Sequence, residues 1–223
     1  FSNRQYSNPM VVRIAGLPYQ KGFGGHFHND NSIAVLTDIP GIIVACPSNA
    51  ADAPAMLREC VRLAHEDGRV VIFLEPIALY HTTDLHAPED GAWSAAYSAP
   101  SEGAEIAFGA LGQIGNGTEL AIITYGNGYF LSRQAEAEIR AAGIDLRIID
   151  LRWLHPLNDV AILAVAAGLL LVPSMLPHSL ADGFAVPDGR CTARHINAVT
   201  PLQARDHHVQ MLVIDPAQPQ FVS

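Results

Sequence analysis

His26, His28 and Asp30 stand at alternate positions in "GFGGHFHND", residues 22–30, behind three glycines. Three chemistries suit such a stretch. Consecutive glycine amides can cradle a phosphate. Here no Lys-Ser or Lys-Thr follows, so it is not a P-loop. The dinucleotide pattern G-x-G-x-x-G starts at Gly22 and Gly24, but Phe27 stands where its third glycine belongs. A metal site is the second reading, because His26, His28 and Asp30 would share one face of an extended chain. It would need further ligands at later strand ends. Those ends read "CPSN", "LEP" and "YGN", which offer little apart from Glu75. The third reading is a glycine shelf presenting one histidine for proton transfer near neutral pH. Ordinary loop histidines are the bland alternative.

The elements that must hold this stretch are legible as apolar runs. "MVVRIAG" (10–16), "GIIVACP" (41–47) and "RVVIFLEP" (69–76) read as buried strands. "NSIAVLTDIPG" (31–41) reads as a short helix ended by Pro40 and Gly41. A longer helix follows Ser48 or Asn49 as cap, starting as late as Asp52, with Ala53, Met56, Leu57, Cys60, Leu63 and Ala64 at helical spacing. Residues 81–104 lack a clear period and are rich in Pro, Gly, Ala and Ser, as a linker is.

Beyond them "EIAFGAL" and "TELAIITYG" read as strands. "NGYFLSRQAEAEIRAAG" reads as a helix with Leu131, Ala135, Ile139 and Ala142 inward. "IDLRIIDLRWL" (144–154) reads as one strand, "NDVAILAVAAG" as a helix and "LLLVP" as a last strand. Strands alternating with amphipathic helices predict parallel α/β units, here two groups of them. From Pro173 the chain holds six prolines and no period, and only "VQMLVID" there has strand character.

Composition narrows the function. The chain has 223 residues, 49% of them hydrophobic, and a formal net charge of -9. Nucleic acid is an unfavourable partner for such a charge. No apolar run reaches about 18 residues, so no membrane-spanning helix is expected. Cys46, Cys60 and Cys191 form no C-x-x-C pair, so neither a zinc knuckle nor a disulfide framework is signalled, and a cytoplasmic setting is the expectation. The chain starts at Phe1 and is read as a piece of a longer one.

The order of these motifs carries a resemblance. "NPMVVRIAG…GFGGHFHNDNSIAVLTDIPGIIVACPSNAADAPAMLRECV…RVVIFLEPIALY", followed by "GTELAIITYGN…GIDLRIIDLRWLHPL", resembles the β subunit of thiamine-diphosphate-dependent 2-oxo acid dehydrogenases, the E1β family of transketolase type. It covers residues 1 to about 170. The implied fold is α/β: two parallel-sheet, three-layer, transketolase-like domains, both incomplete. Residues 1–82 would be the C-terminal part of a pyrimidine-binding domain, 83–104 a linker, 105–172 a truncated transketolase C-terminal-like domain and 173–223 an irregular tail.

The implied activity is oxidative decarboxylation of a 2-oxo acid with acyl transfer to lipoamide, the isolated chain being inactive. His28 takes the catalytic position, while Gly24, Gly25, Phe27 and Asn29 face the cofactor and no residue of this chain binds metal. Asn29 and Asp30 could orient the imidazole, and Phe23 or Phe27 could form an aromatic wall. His26 reads as structural. Glu75 reads as a structural carboxylate paired with an Arg, and Arg152 and His155 as a turn rather than a substrate contact.

The implied cofactor is thiamine diphosphate with Mg²⁺, shared with a partner domain that this chain lacks. The family's G-D-G followed by Asn is absent from the sequence. The glutamate that protonates the aminopyrimidine is expected before Phe1, and the tail after Pro173 departs from the family as a truncated or frame-shifted product would. Implied partners are an α-type E1 subunit or domain, a second copy of the parent protein and a lipoyl-bearing E2. Two other readings remain: a noncatalytic remnant or assembly module, and a metal-dependent hydrolase using His26, His28 and Asp30.

Overall fold

The computed structural model describes residues 6–17, 33–101, 105–170 and 212–214. In chain order, β1 is Met10–Gly16, α1 Ile33–Thr37, β2 Ile42–Ala45, α2 Asp52–His65 and β3 Val70–Pro76. These build the first sheet. β3 lies between β1 and β2 and is parallel to both. α2 covers it with Met56, Cys60 and Leu63, which meet Ile43, Val71 and Phe73 in one cluster. Each large side chain fully buried there stabilises the fold by about 1.5–3 kcal/mol. Asn49 opens α2, its Oδ1 accepting from the Asp52 N–H at 3.0 Å. Ser48, the other cap candidate, is used elsewhere.

The second sheet contains β4, Gly112–Ile114, β5, Leu120–Thr124, and β6, Leu146–Asp150. β5 and β6 are parallel, and β4 joins β6 antiparallel. Between β5 and β6 runs α3, Asn127–Ala141. Its buried face is Gly128, Tyr129 and Ser132, with Ile139 partly buried, while Leu131 is exposed. The expected face was therefore rotated: Tyr129 and Ser132, not Leu131, meet the sheet. The strand expected over "EIAFGAL" is also displaced. Residues 105–111 are irregular, and Phe108 instead packs edge-on to Trp153 at 5.2 Å.

The expected single strand 144–154 is two. After β6 the backbone turns at Arg152, φ 56, and Trp153–His155 forms β7. This strand joins the first sheet, antiparallel to β2, and Trp153 is buried in the first sheet's core. The last helix, α4, runs Asp159–Leu170, so Leu169 and Leu170 are helical where a strand was expected. β8, Leu212–Ile214, pairs antiparallel with β5. The sheet orders are β1-β3-β2-β7 and β4-β6-β5-β8. The α/β class stands, with sheets that are mixed rather than wholly parallel. Among the described residues no helix is long and apolar enough to cross a membrane.

Candidate functional site

The carboxyl ends of β1, β2 and β3 are where ligands gather in open α/β sheets. At this edge Leu17, Cys46 and Leu74 form a small apolar cluster, with Ile14, Ile33, Tyr125 and Leu154 against it. Leu17 ends the segment after β1, and Ile33 opens α1. Leu17 and Ile33, the described residues on either side of the glycine–histidine stretch in the sequence, therefore belong to one cluster. His28, the predicted catalytic residue, lies outside the described residues. So do Gly24, Gly25, Phe27 and Asn29, as well as Phe23, His26 and Asp30.

The second sheet is pressed against the same edge. Leu17 is buried in the left-handed region, φ 50, and its carbonyl accepts from Asn127 Nδ2 at 2.9 Å. Gly126, φ 53, precedes Asn127. A Cβ on it would come within 2.8 Å of Leu17 Cδ1 and 3.5 Å of Cys46 Sγ, so both its backbone angle and the close contact require glycine. The start of α3 thus fixes how the chain leaves β1.

Polar groups from both sheets complete this seam. The Gly126 N–H donates to Ser48 Oγ at 2.7 Å, and the Ser48 hydroxyl donates to Asp150 Oδ1 at 2.8 Å. Asp150 and Ser48 are each 1% exposed. Burial pushes the Asp150 carboxyl up to about 7, against the opposing pull of Ser48 and Arg152. Arg152 donates its N–H to Asp150 and its guanidinium to Asp52 and the Leu111 carbonyl. Its carbonyl accepts from the Cys46 N–H at 2.7 Å. Arg152 is a structural turn, as expected from sequence. His155 is half-buried on β7, opposite Val44.

Glu75, at the end of β3, pairs with Arg13 Nε and accepts from the Tyr80 hydroxyl. The expected arginine partner is found. Burial raises the Glu75 carboxyl, but Arg13 and Tyr80 outweigh it and hold it below the usual range. Tyr80 is pushed up to about 12, first by burial and then by Glu75.

Beside the seam lies a cleft of about 290 Å³ lined by Asn49, Asp52, Trp93, Gln113, Tyr129 and Arg152, among others. Its arginines are already paired: Arg152 with Asp52 and Arg133 with Glu136. Among the described residues no group of three or more His, Cys, Asp or Glu is arranged to hold a metal ion. Sequence reasoning missed Ser48, Asp52, Gly126, Asn127 and Asp150. One signal was available: a carboxylate closing the apolar run "RIID", where an unpaired charge is seldom buried.

Residues 110–174 match the transketolase C-terminal domain. The chain is 29% identical over 167 residues to the 2-oxoisovalerate dehydrogenase subunit beta of Bacillus subtilis, covering 74% of this chain and 45% of that protein. With the Pseudomonas aeruginosa subunit of the same name it shares 32% over 166 residues, covering 70% and 43%. The pyruvate dehydrogenase E1 component subunit beta of Bacillus subtilis is 31% identical over 166 residues, covering 73% and 45%. The chain is E1β-like. It is a partial transketolase-like chain, spanning less than half the length of these curated relatives. A split-gene transketolase, described as an inactive β4 tetramer, has a similar fold at a TM-score of 0.50 and 16% identity, over 70% of this chain and 43% of its own.

Proposed function

We propose that this E1β-like chain serves as part of the E1 component of a thiamine-diphosphate-dependent 2-oxo acid dehydrogenase, with His28 as its proton-transfer residue. The observation that carries the reading is the shared anchorage of Leu17 and Ile33. Leu17 and Ile33, which flank residues 18–32 in the sequence, join one cluster at the carboxyl edge of a parallel sheet, where such folds receive ligands. When bound, thiamine diphosphate supplies the electron sink for decarboxylation. Gly24, Gly25, Phe27 and Asn29 are the proposed cofactor-facing residues. With no G-D-G…N pattern in the sequence, the diphosphate and Mg²⁺ fall to an α-type partner. A second copy of the parent protein and a lipoyl-bearing E2 complete the proposed assembly.

The histidine holds a proton that it can give or take near neutral pH, which neither a carboxylate nor a lysine does without a large shift. In an assembly with an α-type partner, His28→Ala is expected to slow decarboxylation of a 2-oxo acid by about 10²–10⁴-fold. His26→Ala is expected to cost much less. Equal losses, or a larger one at His26, would overturn the assignment. The isolated chain is expected to be inactive and to give no heat when titrated with thiamine diphosphate and Mg²⁺; micromolar binding by the chain alone would refute a shared site.

A further inference from the structure

We propose that Asn127 is a positioning residue: its amide holds the turn at Leu17, just ahead of the stretch that contains His28, so that the second sheet sets the geometry of the proposed chemistry. This rests on the catalytic reading of that stretch given above. The contact itself spans 110 residues of sequence. Asn127 opens α3, and its Nδ2 donates to the Leu17 carbonyl at 2.9 Å, past the end of β1.

Leu17 needs such a hold. Its φ of 50 lies in the left-handed region, which a bulky residue seldom occupies. A backbone of that kind persists only where its surroundings dictate it, and it tends to sit beside functional sites. Here both sheets dictate it. The Leu17 side chain is 4% exposed and packs with Cys46 and Leu74 of the first sheet's edge. From the other side Gly126, having no Cβ, lets Leu17 Cδ1 approach closely. Asn127 then fixes the carbonyl, and with it the plane of the peptide that leads to residue 18.

The same amide does nothing for its own helix. Asn127 is 8% exposed, and its Oδ1 is buried with no hydrogen-bond partner, so the side chain is not a helix cap. The first turn of α3 is closed by backbone groups: Gly128 N–H donates to the Tyr125 carbonyl, and the N–H groups of Tyr129 and Phe130 donate to that of Gly126. An amide that gains one bond at Nδ2 and forfeits one at Oδ1 adds little net stability. What it adds is a fixed Leu17. Alanine at this place keeps the helix, being the best helix former, and removes the orphaned oxygen together with the donor.

The sequence supplies a local probe. Lys21 is its only lysine and lies four residues past Leu17. A lysine-specific protease therefore reads the backbone just after the turn, while an arginine-specific protease reads α2 and α3. In the full chain, Asn127→Ala is expected to speed cleavage at Lys21 several-fold and to leave arginine cleavage unchanged. In an assembly with an α-type partner, kcat for a 2-oxo acid is expected to fall about 10–100-fold, as small misplacements of reacting groups do. KM is expected to stay within about twofold, since substrate binding is not what the turn serves. Unchanged cleavage at Lys21, or unchanged kcat, would overturn the positioning role. Should arginine cleavage rise equally, the variant has loosened as a whole and Asn127→Asp decides by the same two measurements. That side chain keeps the shape and its charge suits a helix start, but an ionised carboxylate cannot donate to Leu17. His28→Ala separates this role from the catalytic reading. Activity lost at His28 but kept at Asn127 overturns the positioning alone; activity kept at His28, with kcat lowered and Lys21 exposed by Asn127→Ala, overturns the assignment of His28 and leaves the positioning standing.

Discussion

Arg152 reaches back 100 residues to Asp52, placing Nε 2.9 Å and Nη2 2.8 Å from the same carboxylate oxygen. Both side chains are mostly buried, at 18% and 14% exposed. The pair ties the chain between β6 and β7 to the first turn of α2. Nη1 of the same guanidinium also donates to the Leu111 carbonyl. Arg152→Ala would leave the Leu111 carbonyl without this donor and the mostly buried Asp52 carboxylate without its cation, with Asn49 Nδ2 still donating to it. The expected loss is about 1–3 kcal/mol in urea unfolding. Arg152→Lys is expected to recover little, because an ammonium cannot serve the carboxylate and the carbonyl in that fork geometry. A loss below about 0.5 kcal/mol for the alanine variant, the range of an ordinary surface site, would show the pair to be ornamental.

Sequence reading found the parallel strands because they are dense in Ile and Val, and it found α2 because its apolar residues repeat at helical spacing. It failed where apolar character continues through a change of direction. "RIIDLRWL" has no glycine or proline, yet the chain turns at Arg152 and changes sheets. A left-handed arginine leaves no mark in composition; its cause is the tertiary contact with Asp52 and Leu111. The inward face of α3 was missed for a related reason. Tyr129 is drawn inward by Trp93, 5.9 Å away between ring centroids, and Trp93 comes from a segment whose composition reads as linker. The histidine stretch was legible by residue type alone. The seam was not, since Ser48, Asp52, Gly126, Asn127, Asp150 and Arg152 become neighbours only after both sheets form.

The segment around Trp93 is held by two carboxylates. Asp90 accepts the backbone N–H groups of Leu85, His86, Ala87 and Ala92, and Asp84 accepts those of Glu89 and Gly91. Leu85 and Trp93 then pack beside Ile122 and Ile148 in the second sheet's core. The backbone bonds, that of Ala92 foremost, hold Asp90 well below the usual carboxylate range. A lowered folded value stabilises above the unfolded pKa, so this contribution is present above about pH 4 and fades as pH falls below it. Asp90→Ala is expected to speed limited proteolysis between residues 84 and 93 at neutral pH. The difference between variant and wild type is expected to shrink in acid. Unchanged cleavage at neutral pH would contradict this account of the turn.

Glu75 tests the division between scaffold and chemistry at the carboxyl edge of the first sheet. It stands at the end of β3, where a catalytic carboxylate could also stand, but Arg13 and Tyr80 occupy both of its oxygens. Tyr80, pushed up to about 12, remains a donor at every working pH. Glu75 is held below its ordinary value, so its stabilising effect is complete above about pH 4.3 and is lost below it, as pH falls through the lower folded value. Arg13 is 65% exposed, and solvent screening keeps the ion pair's share small. Glu75→Gln keeps the size of the side chain and an acceptor for Tyr80 while removing the charge. The expected result is a small loss of stability near neutral pH that disappears in acid. In an assembly with an α-type partner, decarboxylation by this variant should stay within a few-fold of wild type, far from the 10²–10⁴-fold typical of losing a proton-transfer group. A loss of that larger size, with the fold intact, would move Glu75 from the scaffold into the chemistry.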